Sequence, residues 1–135
     1  GLEEIKRTYR RFFPLPDIVQ PNLDEAKILF DVKNEMEAAD AILECGAKYA
    51  VIKLGEKGCY IKKEDKEVYV EGYLSRVVDT TGAGDVFSAA SVVGVIKGWK
   101  IEKIGRFANR AAAFAIEHKG ATTGIPTYSQ VIDMM

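Results

Sequence analysis

The sequence is poor in the residues that most often carry chemistry. There is one histidine, His118, one tryptophan, and two cysteines, Cys45 and Cys59. The cysteines have no metal-binding or redox spacing and sit in apolar surroundings, as reduced core thiols of a cytoplasmic protein do. No apolar run reaches the roughly 18 residues of a membrane span, and no signal peptide is visible. Charge of one sign is lacking too. A net charge of −1 gives no excess of Lys and Arg for nucleic acid or an anionic membrane. The one basic cluster, Lys6, Arg7, Arg10 and Arg11, has helical spacing and is expected to form a solvated face. What remains is an ordinary globular balance, 47% apolar and 29% charged, in a length that suits a single domain. The first residue is Gly rather than Met, compatible with a tag remnant or with a piece of a longer chain.

Residues 3–13 read as a helix that Pro14 and Pro16 terminate. A short apolar strand covers 17–20 and ends at Pro21. Asn22 caps a helix to about Phe30, and a second helix runs over 34–45 with Gly46 as its stop. "KYAVIKLG" (48–55) is a continuous apolar strand of the kind buried in parallel sheets. "CYIKKEDKEVYVEGY" follows as a hairpin around Glu64, Asp65 and Lys66. The segment 74–78 leads into a glycine turn and then a helix over 85–97. That helix has almost no polar face and should be buried on most sides. Another helix spans 101–117, and a last one begins after Pro126. Strands alternating with helices indicate an α/β layered fold with an edge hairpin. No repeat, low-complexity segment or linker interrupts it.

The chemistry concentrates in "DTTGAGD", 79–85. It is not a P-loop, because Asp85 and Val86 follow Gly84 where Lys and Ser or Thr are needed. It is not a dinucleotide fingerprint, because Phe87 stands where a small residue is required. Its physics still favours an anion. Gly82, Ala83 and Gly84 carry little or no side chain, so a ligand can approach their backbone. The first N–H groups of a helix lack internal partners and stand at the positive end of the helix dipole. A carboxylate there repels phosphate. Asp85 is therefore either a helix cap or a general base for a hydroxyl that attacks phosphate.

The seven residues of that turn, with the small-residue apolar helix "VFSAASVVG" after them, resemble the carboxy-terminal signature of the PfkB (ribokinase-like) carbohydrate and nucleoside kinases. The resemblance implies an ATP-dependent kinase in which Asp85 accepts the proton of the substrate hydroxyl. The backbone of Gly82, Ala83 and Gly84 would form the anion hole. It implies a three-layer ribokinase-like (Rossmann-like) α/β fold, of which 1–135 would be one domain fragment: the carboxy-terminal nucleotide-binding half, a partial parallel sheet with an edge hairpin.

Other segments gain a second meaning. Asn22 and Glu25 in "PNLDEA" have the spacing of a capping box. They also resemble the family's N-x-x-E motif, which helps hold Mg²⁺ and phosphate through water. "KLGEKG" (53–58) is a strand-to-turn segment that resembles the family's nucleotide-facing T-x-G-x-x-G. Gly55 and Gly58 match, and Lys53 replaces the usual Thr. Asn109 is a polar residue on a small-residue helix, at a place where the family often puts an Asn near adenine. "KGATTGIPT" (119–127), with Gly120, resembles the loop that closes the nucleotide pocket. With Asp79 and Thr81 it would form a monovalent-cation site for K⁺, although Gly124 stands where some members offer a hydroxyl. His118, at a helix end, reads as a dipole partner and not as a catalyst.

The resemblance covers nearly the whole chain but only the carboxy-terminal half of the family's length. The parts that grip the sugar or nucleoside substrate and form the lid are missing. Two readings stay open: the nucleotide-binding, catalytic half of a kinase, completed by an amino-terminal half or another copy, or a non-catalytic relative that binds nucleotide or assembles with a partner chain.

Overall fold

The computed structural model describes residues 1–12, 17–73, 82–118 and 125–135. They fall into two compact units, Gly1–Gly55 with Cys59–Tyr69 and Glu56–Gly58 with Val70–Met135.

The first unit contains α1 (Leu2–Phe12), β1 (Ile18–Val19), α2 (Leu23–Phe30), α3 (Glu35–Glu44), β2 (Tyr49–Lys53), β3 (Cys59–Lys63) and β4, which starts at Lys66 and runs to Val70. The sheet order is β1-β2-β3-β4. β1 and β2 run parallel, with Ile18 opposite Tyr49, and an isolated parallel bridge from Asn22 to Lys53 extends the pairing. β2 and β3 run antiparallel, with Val51 opposite Ile61. The apolar run of β2 thus earns its burial from one parallel and one antiparallel neighbour, and the sheet is mixed. Ala50 and Ile52 face a core that α2 and α3 close with Ala26, Phe30, Ala38, Ala39 and Ile42. Alanines on α3 let that helix lie close to the strands, which raises packing density at little entropic cost.

Polar contacts pin the hairpin to α3. Tyr69 donates to Glu35, Lys62 donates to Asp40 at 2.5 Å, and Tyr60 donates to Glu67 across the hairpin. Burial and the Glu35 carboxylate push the Tyr69 hydroxyl up to about 12. The basic cluster on α1 does not form one solvated face. Arg7 and Arg11 are exposed, but Lys6 is only 6% exposed. Position 6 faces inward on α1, and its ammonium reaches Asp31 at 2.6 Å, beyond the end of α2.

The second unit is helical: α4 (Ala83–Ile96), α5 (Ile101–Glu117) and α6 (Tyr128–Met134). α4 and α5 pack through Phe87, Ala90, Ile104, Phe107, Ala108 and Ala111, and Trp99, Phe107 and Tyr128 form a ring cluster between helices. Burial of α4 is narrower than its composition predicts. Phe87, Ala90, Ser91 and Gly94 are buried, whereas Val92 is 38% and Ile96 78% exposed. One helical partner covers one side, so the opposite stripe stays open within this unit. Residues 74–81 and 119–124, with their expected features, lie outside the described residues.

Glu56–Gly58 belongs to this unit because its backbone meets the chain just past the hairpin. Gly58 has φ +103, and a Cβ there would lie 2.0 Å from the Val70 carbonyl oxygen. Gly55 has φ +63 but open space around it. Gly55→Ala should therefore cost only the left-handed penalty, about 1–2 kcal/mol. Gly58→Ala adds a backbone clash and should cost more than about 3 kcal/mol. Urea unfolding of the two variants side by side checks this, and equal losses would contradict the close approach.

Candidate functional site

Candidate residues gather in two places, each within its own unit. In the first unit, the chain leaves β1 through Pro21 and enters α2 at Asn22. Asn22 is extended (φ −76, ψ 168), and its Oδ1 accepts from the Glu25 N–H at 2.8 Å. The Glu25 carboxylate accepts from the Asn22 N–H at 2.9 Å. The capping box expected from the spacing is thus complete, and it occupies one oxygen of each side chain. The Lys53 N–H donates to the Pro21 carbonyl at 2.9 Å, so Lys53 sits beside Asn22 at the carboxyl ends of β1 and β2. Ligands of open α/β sheets bind at such strand ends. Gly55 follows at once, exposed and with nothing near its missing Cβ.

In the second unit, α4 begins earlier than the sequence suggested, at Ala83 rather than Asp85. Gly82 is the N-cap, in the left-handed region (φ 80, ψ −2), and its carbonyl accepts the first helical bond from the Val86 N–H at 3.0 Å. A glycine cap brings no side chain to the helix's free N–H groups, and no side-chain cap bond is formed. Among the described residues, no side chain closes this anion-favouring end. Ala83, Gly84 and Asp85 are then the first three helical residues. Asp85 is not the N-cap, its carboxylate is exposed, and it has no hydrogen-bond partner among the described residues. It stands at the rim of a cavity of about 290 Å³ whose walls are mostly apolar, with Val86, Ala90, Val93, Phe107 and Val131 among them.

Asn109 is 6% exposed, and its amide nitrogen donates to the carbonyls of both Val70 and Glu71 at 3.0 Å. Carbonyl oxygens only accept, which fixes the amide's orientation and spends both its hydrogens. His118 is the C-cap of α5; its Nδ1 lies 2.7 Å from the Phe114 carbonyl and its ring stacks on Phe114. That is the helix-end role expected of it. Asp79, Thr81 and Gly120 lie outside the described residues. Sequence reasoning missed the segment Val70, Glu71 and Gly72 as part of the site's support; its only signal was Gly72. Among the described residues no group of three or more His, Cys, Asp or Glu could enclose a metal ion.

A family model described as pfkB family carbohydrate kinase matches residues 2–128. A sugar kinase of Archaeoglobus fulgidus is 45% identical over 109 residues, which cover 81% of this chain and 43% of that protein. The ribokinase of Bacillus subtilis is 38% identical over 115 residues, 85% of this chain and 38% of its own. Among solved structures, an E. coli protein described as a ribokinase II in complex with ATP and Mg²⁺ superposes with a TM-score of 0.87 at 26% identity, covering 98% of this chain and 43% of that one. The chain thus spans about two-fifths of the length of these relatives.

The capping box makes a separable prediction. Asn22→Ala should destabilise the ligand-free chain by about 1 kcal/mol, while Asn22→Asp, an equally good cap, should be near neutral. Urea unfolding without nucleotide or metal measures both; a silent Asn22→Ala would mean the box contributes nothing to the fold.

Proposed function

Because the chain belongs to the pfkB family of carbohydrate kinases, we propose that it supplies the nucleotide-binding and catalytic part of a cytoplasmic, ATP-dependent kinase acting on a hydroxyl of a small sugar or nucleoside. The observation that carries this reading is the glycine-capped start of α4, with a first-turn carboxylate that has no partner among the described residues. The backbone N–H groups of Ala83 and Gly84 face an anion with no side chain in the way. They stabilise charge on the phosphoryl group as it moves from the donor to the acceptor oxygen. Asp85 takes the proton from the attacking hydroxyl, so that oxygen forms its bond to phosphorus as the bond to the ADP oxygen breaks. This assigns the carboxylate a base role in a place where its charge would otherwise only repel the donor.

The remaining candidates serve the donor. Lys53 and Gly55 lie beside Asn22 at the strand ends, where a lysine can contact phosphate and an open glycine leaves room for it. The second carboxylate oxygen of Glu25 and the amide nitrogen of Asn22 remain for water around Mg²⁺. Magnesium keeps several waters and is commonly held through substrate phosphates, so a site without a dedicated cluster of acidic ligands fits it. Bound there, magnesium would supply positive charge that neutralises the donor phosphates. A K⁺ site would draw on Asp79 and Thr81.

A second reading has its own support. The stripe that begins at Asp85 continues as exposed Ala89, Val92 and Ile96. Such a face suits assembly with an amino-terminal half, another copy or a partner chain, and on this reading the chain binds nucleotide or only assembles, without phosphorylation by this chain alone.

Calorimetric titration of the 135-residue chain with MgATP tests the nucleotide site. Saturable binding that Gly84→Val abolishes supports the anion hole; equal affinity in that variant would rule it out. Absence of binding by the folded chain would favour assembly without nucleotide. In an active enzyme containing this chain, Asp85→Asn should lower kcat by about 10²–10⁴-fold while leaving MgATP affinity unchanged or raised. Normal turnover would remove Asp85 as the base.

A further inference from the structure

We infer that Asn109 is a positioning residue which sets the Glu56–Gly58 turn from behind, and that it does not grip the nucleotide through its amide hydrogens. The inference rests on the proposal that this glycine turn faces the nucleotide. Its basis is a single atom shared by two contacts. The Val70 carbonyl oxygen accepts from the Asn109 amide at 3.0 Å. The same oxygen lies against Gly58 so closely that a Cβ on Gly58 would come within 2.0 Å of it. The contact is reciprocal along the backbone: a Cβ on Gly72 would lie 2.4 Å from the Glu56 carbonyl oxygen and 3.1 Å from the Gly58 nitrogen. Glu71, between them, gives its carbonyl to the second Asn109 hydrogen at 3.0 Å.

The residues therefore form a short mechanical chain from α5 to Val70–Glu71–Gly72 and on to Glu56–Gly58. Backbone packed at such distances transmits displacement, because no side chain stands between to absorb it. A second hold acts on the same segment. The Arg110 guanidinium lies over the Tyr73 ring, 5.1 Å from its centroid, and its other end reaches the Met134 sulfur at 3.3 Å. Two consecutive residues of α5 thus fix the chain that backs the turn. Asn109 keeps only its carbonyl oxygen for any ligand, so a direct contact could use it solely as an acceptor.

Hydrogen exchange at the amides of Glu56, Lys57 and Gly58 in the ligand-free chain tests this. With no nucleotide present, a residue that merely contacts the ligand has no reason to affect those amides. Asn109→Ala removes two hydrogen bonds, one buried and one part-buried, and should accelerate their exchange roughly tenfold or more while the α4–α5 core keeps its protection. Asn109→Ser, whose hydroxyl can still donate once, should fall between, and it serves if the alanine variant does not fold. Gly72→Ala should reproduce the acceleration with Asn109 intact. Unchanged exchange at Glu56–Gly58 in a folded Asn109→Ala or Asn109→Ser chain would overturn the inference. MgATP titration of the same variants separates the two ideas. Faster exchange with parallel loss of affinity supports both. Faster exchange in a chain that never binds MgATP keeps the positioning role and removes the nucleotide reading.

Discussion

A helix that starts on a glycine in the left-handed region has no way to satisfy its own first N–H groups. Gly82 forces that condition on α4: its backbone conformation turns the chain into the helix, and its missing side chain leaves the amino terminus uncapped. The usual stabilising residue at this position, Ser, Thr, Asp or Asn, would have contributed about 1 kcal/mol. The sequence forgoes this at the most apolar helix of the chain while placing caps elsewhere, with Asn22 on α2, Asn34 on α3 and Thr127 on α6. Three helices are closed by their own side chains; α4 is not, and neither is α5 behind Lys100, so what sets α4 apart is a left-handed glycine at the cap with Asp85 on the first turn.

The legible parts of the fold were those with a local cause. The box of Asn22 and Glu25, the hairpin turn at Glu64 and the extents of α2, α3 and α5 follow from capping, turn chemistry and hydrophobic period, all properties of neighbouring residues. What escaped reading depends on contacts between distant ones. The inward turn of Lys6 is fixed by Asp31, far along the chain. The amide of Asn109 is claimed by carbonyls 39 and 38 residues away. The start of α4 was misjudged because Ala83 and Gly84 look like turn residues until Gly82 supplies the left-handed cap that lets them be helical. At the site, the motif identified the atoms to examine, and the geometry separated the roles: Asp85 is free of capping duty, whereas Asn22 and Glu25 already have one.

Those shared duties bear on how the site is built. Asn22 and Glu25 are held rigidly by the bonds that close α2, so any contact they make to a ligand through their remaining atoms costs little side-chain entropy. Asn109 is used in the same way, locked by two backbone carbonyls. The chain thus places its polar candidates where the fold has already immobilised them. Asp85 is the exception, and the proposed role of proton acceptor would give it a reason to be one. A carboxylate committed to a cap has its lone pairs engaged, which weakens it as a base.

Asp85 also differs in how wet it is. A general base and an anion hole gain most of their effect when water is excluded, because electrostatic interactions strengthen as the local dielectric falls. Asp85 is exposed, and the stripe below it runs through Ala89, Val92 and Ile96 to the far end of α4, with Ser88 beside it. A helix in water would not carry apolar side chains on that side for its own sake; burying Val92 and Ile96 would each stabilise a covering layer by up to about 1.5–3 kcal/mol. The same surface that would drive cover onto α4 ends at the Asp85 carboxylate. Drying that carboxylate and completing the core of α4 would therefore be one event, and under the proposed role of Asp85 the covered helix is the state that suits phosphoryl transfer.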